Sequence, residues 1–292
     1  MTNTNPILIL GAQGLIGSAL MEVLADKNPI GLDMPECDVT RPDQVNETFK
    51  RFQGGVVINA TGYTNVDGCE SARDEAEKLN SEAPGMLARA AREHGALLVH
   101  LSTDFIFDGT LDRPYREDDS PNPLSVYGRT KLAGEEAVRS EAGDWLIVRT
   151  AWVFGHQGHD FIRTMIKLAQ DRKDLRVVND QTGCPTYSLD ISQGLTKLIE
   201  ADARGTFHLV NSGQTTWFNL ARCALDMAGF EEVPIKPVTT QEFARPAVRP
   251  FCSVLDITKY RKLTGDTPRS WDKALKAALE REGYMEKTNQ TV

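Results

Sequence analysis

The sequence predicts an α/β fold, a Rossmann-like doubly wound parallel sheet with a smaller C-terminal region. Short apolar runs alternate with amphipathic stretches through the first 150 residues. A glycine-rich stretch directly follows the first apolar run, and the alternation becomes less regular after about residue 150. A chain of 292 residues is long enough for one large or two modest domains, so both regions can have a hydrophobic core.

Within the first region, five apolar runs are predicted to be strands. Their residues are apolar at consecutive positions and rich in Val, Ile or Leu, which is typical of strands buried on both faces. These runs are Ile7–Leu10, Pro29–Leu32, Val56–Ala60, Ala96–Leu101 and Trp145–Arg149. Helices are predicted between them, near residues 14–26, 42–53, 71–94 and 125–140. We expect Thr40 and Ser71 to be N-caps and Pro84 to split the third helix.

The second region combines helices and strands in no regular order. The predicted helices are FIRTMIKLAQ, TTWFNLARCALDMAG and SWDKALKAALER, and the predicted strands are LRVVN and TFHLV. Residues 231–253 contain four prolines and show little periodicity. We therefore expect a cap on the first region, with segments around 174–210 returning to the main sheet.

The composition excludes several classes of protein. The net charge is -8 and no basic stretch offsets it, which argues against a nucleic-acid-binding protein. The five cysteines are odd in number and scattered, which favours a reducing compartment over a disulfide framework. The apolar N-terminal stretch lacks a basic region, and no other apolar run approaches membrane-spanning length. We therefore expect a cytoplasmic protein that binds neither nucleic acid nor membranes.

The segment ILILGAQGLIG places three glycines directly after the first strand and at the start of the first helix. Residues without a Cβ let the backbone approach a pyrophosphate, and a helix N-terminus supplies free N–H groups. A structural turn is the alternative, but the strand before and the helix after favour a dinucleotide-binding loop. The predicted cofactor contacts are Gly11, Gln13, Gly14, Leu15, Ile16 and Gly17. Residues 1–150 are thus predicted to be a dinucleotide-binding Rossmann domain and residues 151–292 mainly a substrate-binding cap.

The ends of the second and third strands predict further cofactor contacts. Asp33 stands where a carboxylate would bind the ribose 2′-OH and repel a 2′-phosphate, which favours NADH over NADPH. An ordinary loop aspartate is the equal alternative. The remaining predicted contacts are Asp38 and Val39, which would flank the adenine, and the small residues Ala60, Thr61 and Gly62.

The segment SVYGRTK places Tyr127 and Lys131 four residues apart, so on a helix they share a face. A lysine ammonium beside a phenol lowers the pKa of the phenol and gives a proton donor or acceptor near neutral pH. The spacing also arises by chance. The fourth strand ends with Ser102, Thr103 and Asp104. A hydroxyl there could hold a carbonyl oxygen beside the tyrosine, although such residues are also common in turns and caps.

The glycine loop, Thr103, Tyr127 and Lys131 together resemble the extended short-chain dehydrogenase/reductase superfamily. Further segments are similar, in the same order, to the dTDP-4-dehydrorhamnose reductase family: NATGYTNVDGCES, LSTDFIFDG, PLSVYGRTKLAGE, RTAWVFG, FIRTMIKLA, NDQTGCPT, FHLVNSGQTTW and RPAVRPFCSVLD. The resemblance extends from residue 7 to about residue 280. It implies NADPH- or NADH-dependent reduction of the 4-keto group of dTDP-4-dehydro-6-deoxy-L-mannose, a dTDP-linked keto-deoxysugar, to dTDP-L-rhamnose.

The resemblance also implies roles for individual residues. Tyr127 would protonate the C4 alkoxide, Lys131 would lower the tyrosine pKa and hold the nicotinamide ribose, and Thr103 would hydrogen-bond the carbonyl oxygen. Tyr127 and Lys131 would both also contact the cofactor. Trp152 would pack on the sugar, although a core role competes with this interpretation. The other implied substrate contacts are Thr64, Val66, Asp104 and Phe105, with Asn179, Gln181 and Arg249 near the nucleotide or diphosphate.

The chain departs from the family at one kind of site. Some members bridge dimers through glutamates around a magnesium ion, but Ala19 and Leu189 occupy those positions here. We therefore expect a monomer or weak homodimer without that ion, and no other cluster has metal-ligand spacing. The histidines at positions 94, 100, 156, 159 and 208 are expected to be incidental.

Two other functions stay open. A nucleotide-sugar dehydratase or epimerase could share the fold, but a dehydratase needs a second acid where this chain has Phe105. A non-catalytic, cofactor-binding regulatory subunit of methionine adenosyltransferase also resembles this superfamily. The intact triad argues only weakly against it, because a fold does not fix a function.

Overall fold

The computed structural model describes residues 6–155, 158–171 and 174–285. The helices are α1 (Leu15–Val23), α2 (Pro42–Arg51), α3 (Val66–Ser71), α4 (Arg73–Glu77), α5 (Ala83–Glu93), α6 (Val126–Glu141), α7 (Phe161–Gln170), α8 (Ser188–Glu200), α9 (Trp217–Met227), α10 (Thr258–Thr264) and α11 (Trp271–Glu282). The strands are β1 (Ile7–Leu10), β2 (Ile30–Leu32), β3 (Val56–Asn59), β4 (Leu97–Thr103), β5 (Asp144–Thr150), β6 (Val153–Phe154), β7 (Leu175–Val178), β8 (Thr182–Gly183), β9 (Thr186–Tyr187), β10 (Gly205–His208), β11 (Thr215–Thr216) and β12 (Ile235–Val238). Turns of 3₁₀ helix lie at Ala25–Lys27 and Asp104–Ile106, and a π-helical turn lies at Lys78–Glu82.

The main sheet has six parallel strands in the order β10-β5-β4-β3-β1-β2. It confirms the predicted doubly wound fold, and the five predicted strands are present close to their predicted bounds. The predicted strand TFHLV forms β10 and joins the sheet beside β5. In contrast, β7 pairs with β12 outside this sheet. Of the segments around 174–210, α8 and β10 therefore return to the main sheet and β7 does not.

Alternate residues of the central strands face two different helical layers. Ile9, Ile58 and Val99 belong to a core shared with α1, α8 and α10. Leu8, Val57 and Leu98 belong to a core shared with α2, α5 and α6. Because helices cover both faces of the sheet, the central strands are apolar at every position. Full burial of each such side chain contributes roughly 1.5–3 kcal/mol relative to exposure.

The C-terminal region has its own core. Apolar faces of α7, α9 and α11 pack together with β7, and the core includes Ile166, Leu175, Leu220, Leu225 and Leu275. The predicted helices of this region are all present. The predicted elements do not include α8 or α10, although Ile191, Leu195 and Leu198 have helical spacing and are buried.

Both predicted N-caps are wrong. Arg41 is the N-cap of α2 and makes no capping side-chain hydrogen bond, while the Thr40 hydroxyl donates to Asp38 (2.7 Å). Ser71 is the last residue of α3, and the N-cap of that helix is Asn65. An Asn side chain accepts from the helix N–H groups as well as a Ser or Thr does, so residue type alone does not locate the cap.

Pro84 does not split the helical stretch as predicted. It is the second residue of α5, and the π-helical turn directly precedes it. Proline lacks an N–H, and the wider turn before it lets the chain continue in helical form. Asn80, in that turn, accepts from the Tyr63 N–H (2.8 Å) and donates to the Thr130 hydroxyl on α6 (3.2 Å). The π turn therefore holds the loop after β3 against α6.

All five cysteines are free thiols. Among the residues that the structure describes, no helix is long and apolar enough to cross a membrane.

Candidate active site

A crevice of about 520 Å³ lies at the carboxyl ends of β1, β3, β4 and β5. This edge of an open parallel sheet is where ligands bind. The crevice brings together many of the predicted site residues, namely Gly14, Leu15, Ile16, Ala60, Thr61, Gly62, Thr64, Val66, Thr103, Asp104, Phe105, Tyr127, Lys131, Trp152 and Arg249. A second depression of about 770 Å³ lies beside β2 and α2, and its wall contains none of these residues.

The glycine turn fits a dinucleotide phosphate. Gly11 has φ +82°, a conformation that favours glycine, and a Cβ on Gly17 would overlap the Gly11 carbonyl oxygen. Gly14 is the N-cap of α1 and supplies no capping side chain. The first N–H groups of α1 therefore point into the crevice without a side-chain acceptor, as a phosphate site requires. Gly11 and Gly17 form the side of the turn that does not line the crevice, and Gln13 is exposed on the turn.

The first turn of α6 is pressed against the segment after β4. The Ser125 hydroxyl caps α6 by accepting from the Gly128 N–H (3.1 Å). A Cβ on Gly128 would overlap the Phe105 carbonyl oxygen, so only glycine allows this approach. Tyr127 consequently lies beside Thr103 and meets the Phe105 ring edge-to-face, with 5.6 Å between ring centroids. The helix start thus brings the phenol to the end of β4.

The expectation that Lys131 lowers the pKa of Tyr127 is wrong for this structure. Desolvation raises the pKa of the phenol above its usual range; hydrogen bonding with Thr103 lowers it, and the charges of Asp104 and Cys69 raise it. Lys131 instead donates to the Leu101 carbonyl oxygen (2.6 Å). Burial lowers the pKa of Lys131 to about 8, against the nearby Glu135 carboxylate, which raises it. The phenol is therefore fully protonated at neutral pH.

A buried charged cluster lies one turn beyond Lys131 on α6. The Arg149 guanidinium donates to both oxygens of Glu135 (2.9 Å each), and Arg139 and Ser102 donate to the same carboxylate. Burial raises the pKa of Glu135, but the hydrogen bonds and charges of these partners lower it to about 2. The cluster fixes α6 to β4 and β5 directly behind the crevice.

Asp33 lies against the glycine turn, where its carboxylate accepts from the Gln13 N–H (2.6 Å). The adjacent predicted contacts lie elsewhere. The Asp38 carboxylate accepts from the N–H and hydroxyl of Thr40, in the turn before α2. Val39 is buried in the core under α2. Neither residue lines the crevice, and their expected contact with adenine stays a prediction.

Arg249 reaches the crevice but already has a partner. Its guanidinium donates to both oxygens of Asp67 on α3 (3.0 Å each), and Arg245 donates to the same carboxylate (3.1 Å). Burial raises the pKa of Asp67, but these hydrogen bonds and that of the Ala247 N–H lower it to about 2. A diphosphate contact by Arg249 would have to share or replace Asp67.

Asn179 and Gln181 do not line the crevice as expected. Asn179 accepts from the Thr216 hydroxyl (2.7 Å), and Gln181 is buried and donates to the Thr240 hydroxyl (2.9 Å). Both side chains connect strand-like segments of the C-terminal region. Their spacing in the sequence resembles the family, but the structure gives them contacts within the cap.

Trp152 reaches the crevice in a left-handed conformation (φ +46°). Its indole stacks on Trp217, with 3.7 Å between ring centroids and 9° between planes. The other face lies on Gly183, where a Cβ would overlap the indole. With both faces covered, Trp152 offers a ligand only its edge, so the expected packing of Trp152 on the sugar would have to use that edge.

We expect a Gly183→Ala substitution to displace the Trp152 indole, because the added methyl would occupy the same space. Overpacking of this kind costs about 1–3 kcal/mol of folding free energy. Urea unfolding measures that cost, and circular dichroism measures the coupled signal of the stacked indoles, which should weaken. Gly143→Ala is the matched control, since its Cβ would meet only Arg92 at ordinary contact distance and the expected cost is below about 0.5 kcal/mol. An unchanged indole signal in Gly183→Ala would contradict this account.

The crevice also contains residues that the sequence did not single out. His159 and Phe161 lie in its wall at the start of α7, and Phe161 meets Trp217 edge-to-face at 4.7 Å. No role for His159 is expected from the sequence, but its side chain lies in the crevice wall, whereas His156 lies outside the described residues. The buried Thr150 hydroxyl ends β5 in the crevice wall and has no hydrogen-bond partner in the described part of the chain. A polar ligand group could satisfy it.

The other histidines and the dimer-bridge positions lie away from the crevice. His100 is fully buried in β4 and contacts Asn59 (3.2 Å); burial lowers its pKa, so it is neutral. Ala19 and Leu189 are buried in the core of the C-terminal region. Among the described residues, no group of three or more His, Cys, Asp or Glu side chains could hold a metal ion.

Comparison with known proteins agrees with this geometry. The model of the family described as "RmlD substrate binding domain" matches residues 5–283. A dTDP-4-dehydrorhamnose reductase of Mycobacterium tuberculosis is 39% identical over 282 residues, covering 94% of this chain and 92% of that protein. The spore coat polysaccharide biosynthesis protein SpsK of Bacillus subtilis is 37% identical over 276 residues, covering 94% and 96%.

A solved structure matches over the same extent. The dTDP-4-dehydrorhamnose reductase of Bacillus anthracis, in complex with NADP, superposes with a TM-score of 0.92 at 33% identity. The match covers 95% of this chain and 99% of that one. The chain therefore belongs to the RmlD family, that of the dTDP-4-dehydrorhamnose reductases.

Proposed function

We propose that this protein reduces the 4-keto group of dTDP-4-dehydro-6-deoxy-L-mannose to dTDP-L-rhamnose with NADPH or NADH. The observation that carries the proposal is the convergence of Thr103, Tyr127 and Lys131 on one crevice beside the glycine turn. The match of the chain to this reductase family along nearly its whole length supports the same reaction.

The proposed chemistry assigns the proton to Tyr127. A bound nicotinamide cofactor would supply the hydride to C4. Tyr127 donates its proton to the oxygen that becomes an alkoxide, and its raised pKa keeps it protonated until that charge develops. Lys131, whose buried ammonium group donates to the Leu101 carbonyl oxygen, would hold the nicotinamide ribose and place positive charge near the oxyanion. Thr103 holds the carbonyl oxygen from the other side.

The cofactor would lie along the ends of β1, β3 and β4. The N-terminus of α1 would bind the pyrophosphate, and Ala60, Thr61 and Gly62 would line the nicotinamide half. Asp33 can accept from a ribose 2′-OH beside Gln13, which favours NADH, whereas the matching Bacillus anthracis structure contains NADP. The Asp33 side chain is partly exposed, so a 2′-phosphate can still reach solvent beside it.

The substrate would occupy the part of the crevice toward the C-terminal region. Thr64, Val66 and Phe105 line the side of the Rossmann region, and the edge of Trp152 with Trp217 lines the opposite side. Arg249 would contact the diphosphate by exchanging part of its pairing with Asp67, since a guanidinium forms bidentate pairs with phosphate as it does with carboxylate. We also propose that residues 1–150 with α8 and β10 bind the cofactor, and that most of residues 151–292 binds the substrate.

The test of the proposed function is an assay with dTDP-4-dehydro-6-deoxy-L-mannose and each reduced cofactor in turn. We expect one cofactor molecule to be oxidised for each sugar reduced. A regulatory subunit would bind cofactor without turnover, and a dehydratase or epimerase would cause no net cofactor oxidation. Phe105 disfavours the dehydratase, because the crevice has an aromatic ring where the second acid would be required. Absence of turnover with both cofactors would refute the proposal.

A cytoplasmic monomer or weak homodimer that binds neither nucleic acid nor membranes fits this role. The free cysteines fit a reducing compartment, and the net charge of -8 argues against nucleic-acid binding.

A further inference from the structure

The hydrogen bonds of Thr103 conflict with the role proposed for it. A threonine hydroxyl has one proton. In this structure the Thr103 hydroxyl donates to Oδ1 of Asp104 (3.0 Å), accepts from the Phe105 N–H (3.2 Å) and is also hydrogen-bonded with the Tyr127 hydroxyl. An ionised carboxylate accepts hydrogen bonds and cannot donate one. While Asp104 is ionised, therefore, Thr103 has no proton to offer to a substrate carbonyl oxygen.

Asp104 is an unusual carboxyl group for such a position. Its side chain is 1% exposed and lines the crevice end of β4. The hydroxyls of Thr103 and of Ser253, in the C-terminal region, donate to its carboxyl oxygens, which also accept from the backbone N–H groups of Asp104 and Phe105. Burial raises the pKa of Asp104 to about 6, against these hydrogen bonds, which lower it. Removing a charge from water without a cationic partner favours the neutral acid.

We propose that Asp104 is a positioning residue that acts in its protonated form and turns the hydroxyl of Thr103 toward the substrate. The neutral carboxyl group donates from Oδ1 to the Thr103 oxygen, while Oδ2 continues to accept from Ser253. The Thr103 oxygen then accepts from Asp104 and from the Phe105 N–H, and its own proton points to the carbonyl oxygen at C4. Asp104 keeps its proton through the reaction, since Tyr127 supplies the proton that the product gains.

Protonation of Asp104 would also favour the charge that develops in the reaction. An ionised carboxylate one residue from Thr103 opposes a second negative charge on the C4 oxygen, and its charge already raises the pKa of Tyr127. A neutral carboxyl group removes that repulsion and leaves Thr103 and Tyr127 as donors to the oxyanion. The freed proton of Thr103 and the loss of this repulsion should both make kcat/KM higher below the pKa of Asp104 than above it.

The other titratable groups that face Asp104 do not change charge in the same pH range. Tyr127 of α6 and Cys184, in the segment between β8 and β9, both have raised pKa values because of burial, that of Cys184 being about 12. Lys131 of α6, whose pKa burial lowers to about 8, titrates at higher pH. A fall in rate between about pH 5 and about pH 7 that the Asp104→Asn substitution abolishes would therefore belong to Asp104.

The inference rests on the proposed function, and its test is the pH profile of kcat/KM in the full chain. The wild-type value should fall about tenfold between about pH 5 and about pH 7, as the protonated fraction falls. In Asp104→Asn the amide should donate to Thr103 and accept from Ser253 at every pH. The kcat/KM of this variant at about pH 5 should therefore be close to its kcat/KM at about pH 7. Ser253→Ala removes a hydrogen bond that lowers the pKa, so its fall should move to higher pH. Asp112→Asn, which changes an exposed carboxyl that does not line the crevice, should keep the wild-type profile.

An Asp104→Asn variant with the wild-type fall in rate would overturn the inference, as would a wild-type profile that is flat over this range. A second measurement does not depend on turnover. In chain labelled with ¹³C at aspartate carboxyl groups, the signal lost in Asp104→Asn should titrate well above the ordinary pKa of an aspartate. Titration at the ordinary value would refute the role of Asp104 even in an active enzyme. Absent turnover would refute the proposed function alone.

Discussion

A Tyr127→Phe variant is expected to lose about 10²- to 10⁴-fold in kcat while it keeps its affinity for the cofactor. The substitution removes one oxygen and leaves the ring, whose edge-to-face contact with Phe105 persists. The lost group is the proposed proton donor, so hydride transfer would produce an alkoxide with no group to protonate it. The measurement is single-turnover oxidation of NADPH together with a fluorescence titration of cofactor binding.

Tyr115→Phe is the matched control for this variant. The Tyr115 hydroxyl donates to Asp108 (2.8 Å) outside the crevice, so its removal should reduce stability and leave kcat nearly unchanged. Wild-type turnover by Tyr127→Phe would show that the proton comes from another group. An equal loss of cofactor affinity would show that Tyr127 acts in binding and not in proton transfer.

A Glu135→Gln variant is expected to be about 3–5 kcal/mol less stable than the wild type, the cost of leaving a buried charge without its partner. Glu135 is fully buried, and the Arg149 side chain that it pairs with is only 3% exposed. The amide cannot accept from both guanidinium groups at once. Urea unfolding at neutral pH measures the difference in the free energy of unfolding.

The pH dependence of this difference has a defined sign. The pKa of Glu135 falls on folding from its ordinary 4.5 to about 2, so its contribution to stability is present above 4.5 and is lost as the pH falls toward 2. The gap between the wild type and Glu135→Gln should therefore narrow over that window. Glu47→Gln is the control, because its pair with Arg51 has a 53% exposed carboxylate and is worth less than about 1 kcal/mol. A difference of less than about 1 kcal/mol between the wild type and Glu135→Gln would contradict the stabilising role given to the Glu135 cluster.

The sequence was sufficient to predict the parts of the fold that depend on local pattern. Strands buried on both faces leave a continuous apolar run, and Gly11, Gly14 and Gly17 mark a turn that the structure confirms. Tyr127 and Lys131 do share a face of α6 at the crevice, as their spacing predicts. The family resemblance is confirmed as well, since it depends on many segments in one order along the chain.

The remaining features of the site depend on contacts between residues far apart in the chain, which the spacing of residues in the sequence does not reveal. Arg249 pairs with Asp67, 182 residues away, and the stacking of Trp217 on Trp152 depends on how α9 packs in the C-terminal region. The pKa of Tyr127 was predicted from its neighbour in sequence, but desolvation decides it. Similarly, Asn179 and Gln181 belong to motifs that resemble the family, and only the packing of β7, β11 and β12 shows where their side chains lie.

The most direct test of the central claim is to follow a label from the cofactor to the sugar. The reduced cofactor that gives the faster turnover, NADPH or NADH, would carry deuterium on the transferring face of its nicotinamide C4 and be mixed with the chain and the 4-keto sugar nucleotide. The product would be examined by NMR. We expect deuterium on C4 of the sugar, in one configuration, with a solvent-derived proton on the neighbouring oxygen. A reduced sugar without the label, or a labelled cofactor that remains unoxidised, would contradict the reductase assignment.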